Sequence, residues 1–203
     1  MKSYQITEWC QESFKIYAKS GGIYIDATMG NGNDTLFLCR MAGRTGHVKA
    51  FDIQRQALEA TEKLLQENGV GERAELFLDS HTNMGLYQQE ETVDGIFFNF
   101  GYLPGGDHSL APKPENSMKA VLTGLGLLKK GGVMSLCIYS GGHTGFEERD
   151  KILEMLKNLD SRKYVVILSS YYNRQNNPPI PVLIIKKYNF YQGMHIAKGN
   201  CIP

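Results

Sequence analysis

The chain has 203 residues, of which 42% are hydrophobic, and it carries a formal net charge of +1. This length and hydrophobic content predict one folded domain with a sizeable core. The four cysteines, Cys10, Cys39, Cys137 and Cys201, are scattered without a C-x-x-C pair, which argues against a disulfide framework or a metal site. The N-terminus has no signal-peptide core, and no apolar run reaches the length of a membrane span. We therefore expect a cytoplasmic protein with no membrane partner.

The pattern of apolar residues predicts helices and strands that alternate along most of the chain. In chain order these are a helix at 6–19, a strand from 23, a helix at 34–41, a strand at 47–52, a helix at 54–68, a strand at 74–78, a short helix near residue 83, a strand at 93–100, a helix at 115–129, a strand at 133–139, a helix at 147–159, and strands at 164–172 and 182–187. The last two strands have no helix between them. Their connection is too short for a parallel crossover, so the seventh strand should be antiparallel to the sixth.

These elements predict an α/β fold with a seven-stranded, mostly parallel sheet, an antiparallel last strand, and helices on both faces. Residues 1–187 form the predicted domain, in which the N-terminal helix covers the sheet. Residues 188–203 show no periodicity and are predicted to form a mobile tail.

Charge is unevenly distributed along the sequence. Residues 1–101 have a balance of −5, and residues 102–203 have a balance of +6. A basic half suits local binding of a polyanion, although two ordinary solvated faces would give the same balance.

The first strand runs into a glycine-containing turn, and residues 23–35 read I-Y-I-D-A-T-M-G-N-G-N-D-T. Gly30 and Gly32 let the backbone approach a ligand closely, and the next helix directs its N–H groups at the same space. The flanking carboxylates, Asp26 and Asp34, would repel a pyrophosphate but suit a ligand that carries an ammonium and a sulfonium. S-adenosylmethionine (SAM) is such a ligand and is the predicted cofactor. A turn that only joins strand to helix would leave the acidic end of the next strand, Asp52, without a role.

Two further carboxylates end the following strands. Asp52 lies twenty positions after Gly32, where a carboxylate can accept both ribose hydroxyls. Asp79 ends the third strand and would border the adenine, although Asp79 or Ser80 could instead cap the short helix near residue 83. The predicted cofactor site comprises Asp26, Thr28, Gly30, Asn31, Gly32, Asn33, Asp34, Thr35, Asp52, Ile53, Gln54, Asp79, Ser80, His81, Asn99 and Gly101.

Two glycine-rich segments follow the fourth and fifth strands. The first, N-F-G-Y-L-P-G-G-D-H at 99–108, opens a long loop that we expect to be functional. The second, Y-S-G-G-H-T-G-F-E-E, covers 139–148. Together with the D-A-T-x-G-x-G-x-D-T turn and Asp52, these segments resemble the small SAM-dependent methyltransferases of the rRNA methylase family over about residues 20–187.

This resemblance implies the Rossmann-like class I methyltransferase fold and methyl transfer from SAM to RNA. Members of the family modify tRNA by N-methylating 5-aminomethyl-2-thiouridine at the wobble position, U34, so the implied partner is the anticodon loop of tRNA. The alternatives with the same cofactor are rRNA or a small-molecule amine. A SAM- or RNA-binding module without catalysis is an alternative of another class, and a homodimer is the alternative to a monomer.

The segment from Asn99 to Tyr102 is similar in layout to the Asn-Pro-Pro-Tyr loop of amino-group methyltransferases. The resemblance implies that Asn99 orients the target amine, that Tyr102 stacks on the uracil ring, and that Asp107 or His108 helps to remove the proton. Tyr102 could instead pack beneath its loop, and His108 could have a structural or RNA-contacting role. The predicted substrate contacts come from Tyr102, Leu103, Pro104, His143, Asn173 and Arg174. His143 could instead have a structural role in its loop, and Asn173 and Arg174 could instead form a solvated turn.

Overall fold

The computed structural model describes residues 5–100, 114–140 and 145–188. These residues form the helices α1 (Ile6–Lys15), α2 (Asn33–Ala42), α3 (Arg55–Glu67), α4 (Pro114–Leu127) and α5 (Gly145–Lys157), and the strands β1 (Ile23–Asp26), β2 (His47–Asp52), β3 (Ala74–Leu78), β4 (Val93–Phe100), β5 (Leu128–Ile138), β6 (Tyr164–Leu168) and β7 (Ile180–Lys186). Short 3₁₀ helices lie at Gly71–Arg73 and His81–Leu86. No helix within these ranges is long and apolar enough to cross a membrane.

The strands form one sheet in the order β3-β2-β1-β4-β5-β7-β6. Strands β1 to β5 pair in parallel, whereas β7 is antiparallel to both of its neighbours. The predicted mostly parallel sheet with an antiparallel seventh strand is therefore confirmed. Because β6 runs in the same direction as β1, β2, β4 and β5, the carboxyl ends of all these strands lie at one edge of the sheet, here called the carboxyl edge.

Strand β4 lies at the centre of the sheet. Apart from the buried Asp94 and the half-buried Asn99, its residues are apolar on both faces and buried, as expected for a central parallel strand. On one face Phe97 packs against Phe14 of α1, with ring centroids 4.6 Å apart. On the other face Phe98 and Phe100 belong to the core cluster that α4 completes. The packing fixes Asn99 at the carboxyl edge.

The structure corrects several predicted boundaries. Helix α1 ends at Lys15 instead of at residue 19. Helix α4 ends at Leu127 and β5 begins at once, with Leu128 paired to Val93. The prediction that the helix continues to Lys129 is wrong, because the Lys129 ammonium binds the Asp94 carboxylate at 2.9 Å rather than the end of the helix. Strand β6 ends at Leu168 instead of at residue 172, so four residues predicted to lie in the strand lie in the connection that follows it.

Several predictions concern residues outside the described ranges. They include the final segment from residue 189 to 203 and the predicted site residues Gly101, Tyr102, Leu103, Pro104, Asp107, His108 and His143. Of the four predicted catalytic residues, Asn99 therefore lies in the part of the chain that the structure describes.

Candidate cofactor and acceptor site

The turn between β1 and α2 depends on its two glycines. Gly30 and Gly32 have φ values of 50° and 81°, in the left-handed region that side chains disfavour. A Cβ on Gly32 would lie 2.9 Å from the hydroxyl oxygen of Thr61 on α3, and this hydroxyl donates to the Gly30 carbonyl at 3.1 Å. The turn is thus held close to α3, and the close approach of a ligand to these two glycines stays a prediction.

Asp26 ends β1 and is completely buried. Its Oδ2 accepts a hydrogen bond from the Thr35 hydroxyl at 2.6 Å, and its Oδ1 accepts one from the Thr28 backbone N–H at 3.1 Å. Burial, followed by the nearby Asp34 carboxylate, raises the pKa of Asp26 to about 7. The carboxyl group is therefore fixed by the turn that follows it, and its burial favours the neutral form.

Asp34 connects three parts of the chain. Its Oδ1 accepts from the Gln11 side chain of α1 at 2.7 Å, and its Oδ2 accepts from the Asn99 side chain of β4. Burial raises the pKa of Asp34, and the two hydrogen bonds oppose that shift. Gln11 was not predicted as a site residue from the sequence. The helical period of α1 shows which face of the helix is buried, but it does not show that Gln11 contacts Asp34, which lies 23 residues later in the chain. Gln11 follows the buried Cys10, and this position beside the apolar face is the one signal that the sequence offers.

Asn99 is held from both its backbone and its side chain. Its backbone N–H donates to the Thr28 hydroxyl at 2.7 Å, while its Nδ2 donates to Asp34. Because a carboxylate can only accept hydrogen bonds, its partner must be the amide nitrogen, and this fixes the orientation of the Asn99 side-chain amide. Among the described residues no donor binds the other amide atom, Oδ1, which can accept a hydrogen bond from a ligand.

Asp52 joins the end of β2 to the glycine turn. Its Oδ2 accepts from the Gly30 N–H at 3.1 Å, and its Oδ1 accepts from the Gln54 N–H at 2.9 Å. The neighbouring Ile53 side chain is 49% exposed, which places an apolar surface beside the carboxylate. Asn31 and Asn33 are exposed on the turn itself.

Three carboxylates, Asp26, Asp34 and Asp52, thus lie together at the carboxyl edge, and both of the others raise the pKa of Asp26. Within the described ranges, no lysine, arginine or histidine forms an ion pair with any of the three. Such uncompensated negative charge suits a ligand with cationic groups and disfavours a polyphosphate. The residues present therefore fit the ammonium and sulfonium of SAM.

Asp79 and Ser80 shape the segment after β3. Asp79 accepts hydrogen bonds from the Ser80 N–H at 2.7 Å, the Asn83 side chain at 2.9 Å and the Tyr87 hydroxyl at 2.8 Å. These hydrogen bonds lower the pKa of Asp79, and the bond from Tyr87 has the largest effect. The Ser80 hydroxyl caps the 3₁₀ helix by accepting from the Thr82 N–H. The capping alternative is therefore correct for Ser80, and contact of Asp79 with adenine stays a prediction.

His81 begins that 3₁₀ helix and packs edge-on against Phe98 and Phe100, with centroid distances of 6.1 and 6.4 Å. Burial lowers the pKa of its imidazole, which favours the neutral ring. Beyond β5 and β7 in the sheet, Asn173 and Arg174 are exposed and follow the carboxyl end of β6. Their topology places them at the same edge as Asn99, as the sequence predicts.

Comparison with known proteins adds to this geometry. A family model described as "Putative rRNA methylase" matches residues 48–185. The chain belongs to this family. The resemblance drawn from the sequence motifs is confirmed, and the chain is a member of a methyltransferase family.

Two solved structures of similar proteins support the rRNA methylase assignment. A "putative rRNA-methylase" from Clostridium thermocellum is 40% identical, with a TM-score of 0.87 over 92% of this chain and 100% of that one. A "putative methyltransferase" from Streptococcus mutans, solved in complex with SAH, is 33% identical, with a TM-score of 0.81 over 91% of this chain and 99% of that one. The predicted Rossmann-like methyltransferase fold is therefore confirmed.

A relative with a more specific name comes from Arabidopsis thaliana. The chloroplastic tRNA (mnm(5)s(2)U34)-methyltransferase is 35% identical over 176 residues, which amount to 82% of this chain. The chain spans 63% of the length of that relative.

Proposed function

We propose that this protein is a SAM-dependent RNA methyltransferase that N-methylates the aminomethyl group of 5-aminomethyl-2-thiouridine at the tRNA wobble position, U34. The observation that carries the proposal is the hydrogen bond from Asn99 Nδ2 to Asp34. It leaves Oδ1 of the amide as an acceptor at the carboxyl edge, beside the three uncompensated carboxylates. A primary amine has the N–H groups to donate to such an oxygen.

SAM is the cofactor, in agreement with the SAH bound by the Streptococcus mutans relative. It supplies a methyl group that its sulfonium activates for transfer. Asp52 accepts the ribose hydroxyls, and the N–H groups of the Gly30–Gly32 turn line the same site. The carboxylates of Asp26 and Asp34 provide the negative potential that a cationic cofactor requires.

For the acceptor, Asn99 aligns the amine so that its nitrogen lone pair faces the transferred methyl group. Correct alignment supplies much of the rate of such a displacement. The nitrogen must also lose a proton, and we assign this step to Asp107 or His108. Tyr102 stacks on the uracil, while Leu103, Pro104, His143, Asn173 and Arg174 contact the surrounding RNA.

A wobble base lies in an unpaired loop, so presenting it to the enzyme costs less than extruding a base from a duplex. The name of the Arabidopsis relative supports this acceptor. The basic balance of residues 102–203 favours RNA over a small amine. The cytoplasmic location, and a homodimer as the alternative to a monomer, remain predictions.

Ribosomal RNA is the second candidate acceptor. The family description names it, and an 87-residue segment is 33% identical to ribosomal RNA small subunit methyltransferase H 1 from Acholeplasma laidlawii, covering 41% of this chain and 27% of that protein. The short coverage makes this the weaker candidate.

The test is methyl transfer from labelled SAM to purified tRNA and rRNA that lack their late modifications, followed by mass spectrometry of the digested nucleosides. The proposal predicts one added methyl group on 5-aminomethyl-2-thiouridine, in tRNA alone. Label in rRNA alone would favour the second candidate. SAM binding without label in either RNA would contradict the proposal that RNA is the methyl acceptor and would favour a small-molecule amine.

A further inference from the structure

The connection after β6 contains a tight turn. The Arg174 N–H donates to the Tyr171 carbonyl at 3.0 Å, which closes a four-residue turn with Tyr172 and Asn173 at its centre. The Tyr172 side chain is 99% exposed. A tyrosine normally buries much of its ring, so an aromatic side chain fully in solvent at the tip of a turn is available to a partner.

The position of this turn relative to Asn99 follows from the strand register. Asn99 is paired with Cys137 across β4 and β5, and Cys137 is paired with Pro181 across β5 and β7. The Ser169 N–H donates to the Pro181 carbonyl at 2.9 Å. Three strand spacings of about 4.8 Å each therefore separate Asn99 from the start of the connection, about 14 Å in all. The turn lies within reach of nucleotides that neighbour a target held at Asn99.

Arg174 is oriented by its stacking on Tyr171. Its guanidinium carbon lies 4.2 Å from the centre of the Tyr171 ring, close enough for a cation–π interaction. The Tyr171 hydroxyl is buried and has no hydrogen-bond partner among the described residues. Stacking holds the planar guanidinium of Arg174, with its N–H donors, in a defined orientation, which suits recognition of phosphate.

The charge of the surrounding sequence also indicates the kind of partner. Residues 169–179, which connect β6 to β7, contain Arg174 and no aspartate or glutamate, whereas Arg162, Lys163, Lys186 and Lys187 lie at the other ends of these two strands. An exposed aromatic ring next to an arginine, with no acidic residue in the same connection, is a combination by which proteins bind single-stranded nucleic acid, where bases stack on rings and cations meet phosphates.

We propose that the turn from Tyr171 to Arg174 is an RNA-binding element, in which Tyr172 stacks on an unpaired base beside the target nucleotide and Arg174 binds a neighbouring phosphate. This inference rests on the proposed function, because it takes RNA as the acceptor. It adds Tyr172 as the stacking residue and gives Arg174 a defined partner.

The experiment measures binding of an anticodon stem-loop RNA to the full chain by fluorescence anisotropy, without SAM. Tyr172→Ala should weaken binding by about 5- to 150-fold, the range expected for loss of one base–aromatic stack. Tyr172→Phe keeps the ring and should stay within about twofold of the wild type. Arg174→Ala should reduce the slope of log affinity against log salt by about 0.7, the contribution of one phosphate in a single strand.

The matched control is Tyr17→Ala. Tyr17 is 40% exposed and is close in the chain to Lys19, which pairs with Asp94 at the opposite end of β4, so its replacement should leave RNA affinity unchanged. Thermal unfolding and SAM affinity should be equal in all variants, which excludes misfolding as the cause of weaker binding.

Failure of this inference can be distinguished from failure of the proposed function. Methylation of U34 with the same stem-loop affinity in Tyr172→Ala and wild type would overturn the inference alone. Loss of stem-loop affinity in Tyr172→Ala, with no methylation by the wild type, would support the element and overturn the proposed reaction. A change from dimer to monomer in Tyr172→Ala, with unchanged RNA affinity, would make the turn a protein interface and overturn the inference.

Discussion

The two sides of the carboxyl edge differ in how their polar groups are bound. On the side of β1, β2 and β4, the carboxylates of Asp26, Asp34 and Asp52 already accept hydrogen bonds from backbone or side-chain groups of the protein. On the side of β6 and β7, Tyr172 is exposed and Arg174 stacks on a neighbouring ring. We infer from this difference that the proposed cofactor side is preorganised, whereas the proposed acceptor side presents groups to a partner that arrives later.

If this comparison is correct, the largest effect on turnover should come from Asn99, which connects the two sides. Asn99→Ala removes the amide oxygen that receives the amine, and turnover should fall by about 10²- to 10³-fold, as when one preorganised hydrogen-bonding group is lost from an active site. SAM affinity should stay close to that of the wild type. The measurement pairs a methyl-transfer assay with calorimetric titration of SAM.

Asn158→Ala is the control for Asn99→Ala, since Asn158 is exposed at the end of α5 and binds Glu154 of the same helix. It should retain full turnover. Full turnover in Asn99→Ala as well would show that Asn99 has no role in the reaction.

The next effect concerns the rigidity of the cofactor side. Gly32→Ala introduces a Cβ at a φ of 81° and within 3.0 Å of Thr61. The left-handed backbone costs about 1–2 kcal/mol, and the collision adds about 1–3 kcal/mol, so the melting temperature should fall and SAM binding should weaken.

Gly69→Ala is a matched control for this variant. Gly69 has a φ of 64°, but no atom lies within 4 Å of the position of its Cβ. It should therefore show the backbone cost alone, about 1–2 kcal/mol, and normal SAM affinity. Equal losses of melting temperature in the two variants would show that Thr61 does not hold the turn.

The pKa of Asp26 predicts a dependence of stability on pH. Its folded pKa of about 7 lies above the ordinary value of 3.8, so the protonated carboxyl stabilises the fold fully at about pH 4, and this contribution is lost as the pH rises to about 7. Asp26→Asn keeps an acceptor oxygen for Thr35 and cannot ionise. Its melting temperature should therefore fall less between pH 5 and pH 8 than that of the wild type, and identical profiles would contradict the assignment.

The smallest effect should come from Gln11, which acts on Asn99 only through Asp34. Gln11→Ala removes one hydrogen bond worth about 1 kcal/mol, so turnover should fall by about fivefold with an unchanged KM for RNA. Gln56→Ala, on the exposed face of α3, is the control. An effect on the KM for RNA, with turnover unchanged, would show that Gln11 contacts the acceptor instead of positioning Asp34.

The sequence predicted the fold well wherever the signal was local. Strands β2, β3 and β4 occur at the predicted residues, because each is a short apolar run between turn-forming residues. The glycine turn was also predictable, since Gly30 and Gly32 carry a backbone requirement that the sequence displays.

Long-range contacts account for what the sequence did not reveal. The bond from Gln11 to Asp34 joins positions 23 residues apart, and the ion pair of Lys129 with Asp94 joins positions 35 apart. The pair Lys129-Lys130 followed by two glycines is typical of a helix end, yet the tertiary contact places Lys129 in β5. Likewise Tyr171 and Tyr172 have strong strand propensity, but β6 ends at Leu168 and both residues lie in the turn that Arg174 closes.

The most direct test of the central claim is nucleoside mass spectrometry of tRNA from cells in which the gene is deleted and then restored as wild type or as Asn99→Ala. We expect the deletion strain to accumulate 5-aminomethyl-2-thiouridine, the wild-type gene to restore the methylated nucleoside, and the Asn99→Ala gene to leave the unmethylated form in place. Normal wobble methylation in the deletion strain, or full restoration by Asn99→Ala, would contradict the claim that this edge of the sheet transfers a methyl group to the wobble amine.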